Sequence, residues 1–169
     1  KEAFDAYVKQ RGSIPTTGPL SVMLNAPEML LRGEHLRAYL RGDESSLPES
    51  IRELAMLVTA RENDCQYIWY AHAARAREEG ISNEFIDALR DKKPLPKLTG
   101  DQQIVVDYAI ELFHTNRVTE ATFKAALGHF GAQLLTELPT MMGYYSMLAL
   151  NVNAFEVDRP EGGETPLVV

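Results

Sequence analysis

Glu53, Cys65, Tyr67, Trp69 and His72 combine residue types and spacing that could carry chemistry. His72 is an imidazole, the side chain that most readily serves as a general acid or base near neutral pH. Glu53 is a carboxylate on an apolar background of Ile51, Leu54, Ala55, Leu57 and Val58. Beside an imidazole it would orient the ring or exchange protons with it; on a solvated face it would pair with Arg52 or Arg61. Cys65 is the only cysteine. As a thiolate it would be a nucleophile; as a thiol it would be a small buried hydrophobe. Tyr67 and Trp69 read as core or pocket wall. Arg75, three residues past His72, is a candidate for holding a substrate anion, with a surface charge as the plainer reading.

These residues need two helices to position them. On a helix starting at Cys65, His72 lies seven residues on, and steps of about 100° return it to nearly the same face. Ile68 and Trp69 lie between them on that face. Side chains lean toward the helix N-terminus, so the imidazole leans toward the thiol. The rise is still about 10 Å, so a substrate, a water or another carboxylate is expected between Cys65 and His72 instead of a direct bond. Asp64 is the expected N-cap of this helix, which runs over 65–79 and stops at Gly80. At its first turn the helix dipole favours a thiolate, while Asp64, Glu62 and Glu53 oppose one. Glu53 sits on the preceding helix, 49–62, opened by Pro48 with Ser46 or Leu47 near its cap.

Further helices are expected over 2–9, 27–40, 83–90 (capped by Ser82), 102–115, 120–130 and 133–152. A loop covers 12–18 and a Pro-rich connector covers 92–100. No stretch shows the alternation of a half-buried strand. The last helix is apolar nearly all round, with Met141, Met142, Tyr144, Tyr145, Met147, Leu148, Leu150 and Val152, which suits a central core helix or a subunit interface. Glu137, Pro139 and Gly143 interrupt it and argue against a membrane span. The expectation is an all-α helical bundle, one domain over residues 1–169, with a core motif at 51–89 and an extended arm at 158–169.

Composition bounds the function. The chain has 169 residues, 45% hydrophobic and 24% charged, which suits one globular domain. A net charge of -7 without a Lys/Arg stripe argues against a nucleic-acid binder. A single cysteine forms no internal disulfide, and no Cys/His cluster has zinc spacing, so no metal is expected. This cysteine usage suits a reducing, cytoplasmic setting.

The run from Glu53 to His72, followed by Gly80-Ile81-Ser82, resembles the carboxymuconolactone decarboxylase / alkylhydroperoxidase D-like (AhpD-like) family. Alkylhydroperoxidase D members carry a Glu, eleven residues, Cys-x-x-Cys, three residues and a His. Glu53, Cys65 and His72 fall at those places, and Ile68 stands where the second cysteine would be. The stretch from Gly143-Tyr144-Tyr145 through Asn153-Ala154-Phe155 to Val157 looks like the C-terminal part of a subgroup that carries Trp at the position of Trp69.

The resemblance implies an all-α, AhpD-like fold assembled into trimers or hexamers, with Glu53 and His72 as site residues. It also implies two chemistries. Alkylhydroperoxidase D proteins reduce peroxides with a cysteine pair assisted by His and Glu; Ile68 leaves only a one-cysteine version, resolved by an outside thiol. Carboxymuconolactone decarboxylases use neither a redox pair nor a cofactor on an unsaturated lactone acid, and need an acid/base and donors for the substrate oxygens. The leading expectation is a cofactor-free, decarboxylase-like enzyme on a small carboxylated or lactone substrate. His72 would exchange the proton with Glu53 as its partner, Cys65 would line the pocket, and Trp69, Tyr67 and Arg75 would contact substrate. The alternatives are a thiol-dependent peroxidase using Cys65, and a non-catalytic oligomeric small-molecule binder.

Overall fold

Pro and Gly punctuation divides the chain into helices: α1 (Glu2–Arg11), α2 (Gly18–Met23), α3 (Pro27–Arg41), α4 (Glu49–Glu62), α5 (Gln66–Glu78), α6 (Asn83–Arg90), α7 (Gly100–Thr115) and α8 (Glu120–Ala154). The computed structural model describes residues 2–159 and 161–169. Pro160, part of the expected arm, lies outside them. Every regular element among the described residues is helical, so the all-α expectation holds. The short α2, led by Pro19, falls where the sequence suggests only a loop and the approach to Pro27.

Helix α4 is the hub. Its residues from Ile51 to Arg61 are all buried. It packs on α5, α7 and α8. A helix buried on all sides can carry a polar group only where another element meets it with a partner.

The α4–α5 junction corrects one expectation. Asp64 does not cap α5. It adopts the left-handed conformation at φ +46°, just past the end of α4. The Cys65 amide donates to the Ala60 carbonyl at 2.8 Å and the Asp64 amide to Arg61 at 3.1 Å, which is a Schellman termination. Aspartate tolerates that backbone better than most residues. The N-cap of α5 is therefore Cys65 itself. The Asp64 carboxylate pairs with Arg61 and Lys92. The α4 cap is also different from expectation: Pro48 takes that place without a side-chain bond. Ser82 caps α6 as expected, accepting from the Phe85 amide at 3.2 Å.

Two helices read from sequence over 120–130 and 133–152 join as α8 across Gly131, whose φ of 77° and ψ of 173° break the helical path. Glycine reaches that conformation without a Cβ penalty. Beyond the break α8 is largely core, yet Leu150 remains 63% exposed. The C-terminal segment is docked across α5 and α6. The Gln66 amide exchanges bonds with both backbone groups of Leu167, at 2.9 Å each. Arg61 donates to the Val168 carbonyl at 2.8 Å, and Leu167 is buried. No helix among the described residues is long and apolar enough to cross a membrane.

Candidate functional site

Glu53 projects from the middle of α4 with 0% of its surface exposed. An isolated carboxylate there would cost several kcal/mol in desolvation, so its partners matter. His72, two turns into α5 and 6% exposed, places Nδ1 2.7 Å from Glu53 Oε2. This is a short, charge-assisted geometry. The other oxygen, Oε1, faces Nη2 of Arg41 at 3.5 Å, from the last turn of α3. Arg41 Nη1 donates to the Tyr145 hydroxyl at 3.1 Å, from α8. The Tyr145 ring then meets His72 edge-on, with centroids 5.4 Å apart and planes at 82°. Four helices thus converge on one buried acid–imidazole pair.

Neighbouring charges hold this arrangement in place. Arg52 donates to the Arg41 and Gly42 carbonyls at 3.2 and 2.9 Å, tying the end of α3 to α4. Glu49 sits between the two guanidiniums, 3.3 Å from Arg41 and 3.0 Å from Arg52. Burial pushes the Tyr145 phenol above its ordinary pKa, with Arg41 opposing, so the hydroxyl stays protonated at neutral pH. With Nδ1 engaged by Glu53, Nε2 is the ring nitrogen left for proton exchange.

Cys65 stands apart from this pair. It is 0% exposed, and no hydrogen bond joins it to His72 among the described residues. Burial pushes its thiol above the ordinary value, although the Ile68 and Tyr67 amides at the start of α5 pull the other way. The helix N-terminus therefore acts on Cys65 as expected, and desolvation outweighs it. Ile68, at the second-cysteine position, is buried.

The remaining expected site residues are dispersed. Trp69 is buried, with its indole N–H donating to the Thr165 carbonyl of the C-terminal segment at 3.0 Å. Tyr67 is half-buried and lines a cleft of about 410 Å³ with Gln66, Val152, Asn153 and Arg159. Gly18 lies so close that a Cβ there would sit 2.5 Å from the Tyr67 hydroxyl. Arg75 is exposed on α5 and enters none of the bonds around Glu53. The structure supplies Arg41 and Tyr145, neither of which stood out in the sequence. The signal for Arg41 was indirect: a buried carboxylate calls for a cation. No group of three His, Cys, Asp or Glu side chains among the described residues is placed to hold a metal ion.

Residues 27–92 match the carboxymuconolactone decarboxylase family. This stretch spans α3 to α6 and contains Arg41, Glu53, Cys65 and His72, whereas Tyr145 lies beyond it. The fold is similar to that of a protein of unknown function from Agrobacterium tumefaciens, described as a candidate antioxidant defence protein AhpD. The TM-score is 0.71 at 16% identity, covering 83% of this chain and 96% of that one. It is also similar to an uncharacterized peroxidase-related protein from Silicibacter sp. TM1040, with a TM-score of 0.71 at 20% identity, covering 95% of this chain and 84% of that one. At such identities the likeness is one of fold: an AhpD-like arrangement of helices. No curated protein matches the chain.

Proposed function

We propose that this chain is a cofactor-free, carboxymuconolactone decarboxylase-like enzyme that performs acid/base chemistry on a small carboxylated or lactone substrate. The observation that carries this reading is the buried Glu53–His72 pair at 2.7 Å, with the second carboxylate oxygen facing Arg41. In the reaction the bond between the substrate carbon and its carboxylate breaks and carbon dioxide leaves. The electron pair passes into the conjugated lactone carbonyl, and His72, after taking a solvent proton on its bare Nε2, delivers that proton to carbon and returns to the neutral ring. Glu53 supports the imidazole through each protonation change. Tyr67 and Arg75 are the substrate contacts this reading keeps from the sequence; the cleft at Tyr67 is not lined by His72. Trp69 shapes the wall and Cys65 fills space.

The buried thiol with its raised pKa weighs against the one-cysteine peroxidase. The deciding experiment measures turnover of a panel of unsaturated lactone acids, and peroxide consumption with a dithiol reductant, for the wild type, His72→Ala and Cys65→Ser. Lactone turnover that falls at least about 100-fold in His72→Ala is the expected result. Peroxide consumption that vanishes in Cys65→Ser would replace this reading with the peroxidase. Neither activity would leave the small-molecule binder. The same reading includes a homo-oligomer, a trimer or hexamer, supported by exposed Met29, Leu36 and Leu150. Light scattering that returns a monomer would remove that part.

A further inference from the structure

Arg41 closes a circuit around the acid–imidazole pair. Glu53 is wholly buried, so its ionised form needs positive charge or donors nearby. Oε2 has His72, and the Oε1 partner among the described residues is Arg41. The same guanidinium reaches the imidazole by a second route, through the Tyr145 hydroxyl and the ring that meets His72 edge-on. The surrounding charges are already matched. Glu49 is shared between Arg41 and Arg52, and Arg37, whose charge is felt at Tyr145, is bonded to Glu34 at 2.6 Å.

The chemistry of the ring shows what a cation on Oε1 decides. If Glu53 were protonated, its O–H would donate to Nδ1 and the ring proton would move to Nε2. If Glu53 is the carboxylate, Nδ1–H donates to Oε2 and Nε2 keeps its lone pair. Only the first state removes the lone pair from Nε2. A guanidinium on the far oxygen relieves the carboxylate without taking its proton from His72.

We propose that Arg41 is a positioning residue for the Glu53–His72 pair: it holds Glu53 as the carboxylate, so that His72 keeps its proton on Nδ1 and presents a bare Nε2, and through Tyr145 it fixes the plane of the ring. The consequence for catalysis rests on the acid/base reading above, but the protonation pattern can be measured without any substrate.

The test is nitrogen NMR of chain labelled at histidine, at pH 8, with the His72 signals assigned by His72→Gln. The wild type is expected to show His72 protonated on Nδ1 alone, and Arg41→Lys to keep that pattern. Arg41→Met is expected to shift the ring nitrogens to the Nε2–H form. A wild-type ring carrying its proton on Nε2 overturns the proposal. So does a folded Arg41→Met with unchanged nitrogen signals, folding being checked by thermal melts. If Arg41→Met does not fold, Arg41→Gln takes its place under the same criterion, and the wild-type result decides regardless. A wrong substrate class would leave these signals untouched, so failure of the circuit and failure of the functional reading remain distinguishable.

Discussion

Glu53 and Glu137, two of the carboxylates buried among the described residues, are treated in opposite ways. Glu137, on α8 and 4% exposed, is saturated by neutral donors. Tyr39 donates at 2.5 Å, the Ser46 amide at 2.8 Å, and the Ser45 and Ser46 hydroxyls and the Gln133 amide at 2.9 Å each. Burial alone would raise its pKa, but those hydrogen bonds outweigh burial and hold it down at about 2. Nothing in that set releases a proton near neutral pH, so Glu137 acts as a pin that fastens the loop between α3 and α4 onto α8. Glu53 instead meets an imidazole and a guanidinium. One of its partners can gain and lose a proton, and that partner retains a free ring nitrogen. Burial by itself therefore does not mark a site; the chemistry of the donors does.

This contrast breaks most sharply in activity. Glu53→Gln should lower turnover of the substrate found by the lactone screen about 100-fold or more, while Glu137→Gln should leave kcat within a few-fold. Equal losses in both variants would erase the distinction between the two carboxylates. Next in size is stability. Glu137→Ala strands several buried donors and should cost about 3 kcal/mol, read as a drop of about 10 °C in melting temperature. A change below a couple of degrees would mean that the pin carries little of the fold.

The third effect is the pH dependence of that pin. The folded pKa of about 2 lies below the ordinary 4.5. A depressed carboxylate contributes stability that is complete above its unfolded pKa and is lost as pH falls toward the folded one. Urea melts should therefore show wild-type stability declining from about pH 4.5 toward pH 2, with a shallower decline in Glu137→Gln. Parallel curves would contradict the assignment. The smallest effect concerns Cys65. Its buried, raised thiol should resist maleimide in the native protein at pH 7 and react once urea unfolds the chain. Rapid native labelling would reopen the peroxidase reading.

Much of the local architecture was legible beforehand because its causes are local. Pro48 before α4, Ser82 capping α6 and the Gly131 break in α8 each act within a turn of their own position. The junction at Asp64 shows where that reasoning slips. An aspartate after an asparagine suits both a helix cap and a left-handed terminus, and the bond from Cys65 back to Ala60 chose the second. The three-residue connection holds the α4 C-cap Asn63, the left-handed Asp64 and one further residue, so Cys65 became the cap of α5. Ser45 and Ser46 likewise resemble cap residues, yet their hydroxyls answer the stronger demand of the Glu137 carboxylate.

The sequence by itself determined the helices other than α2, and the spacing that sets Glu53, Cys65 and His72 on or at the start of two consecutive ones, because helical period depends on neighbours a few residues away. Which charges surround Glu53 was decided only by the tertiary structure. Arg41 meets Tyr145 across 104 residues, and Tyr39 meets Glu137 across 98. Those pairings follow from how α3, α4 and α8 pack. A buried carboxylate requires a partner on energetic grounds, but only packing selects which distant side chain supplies it.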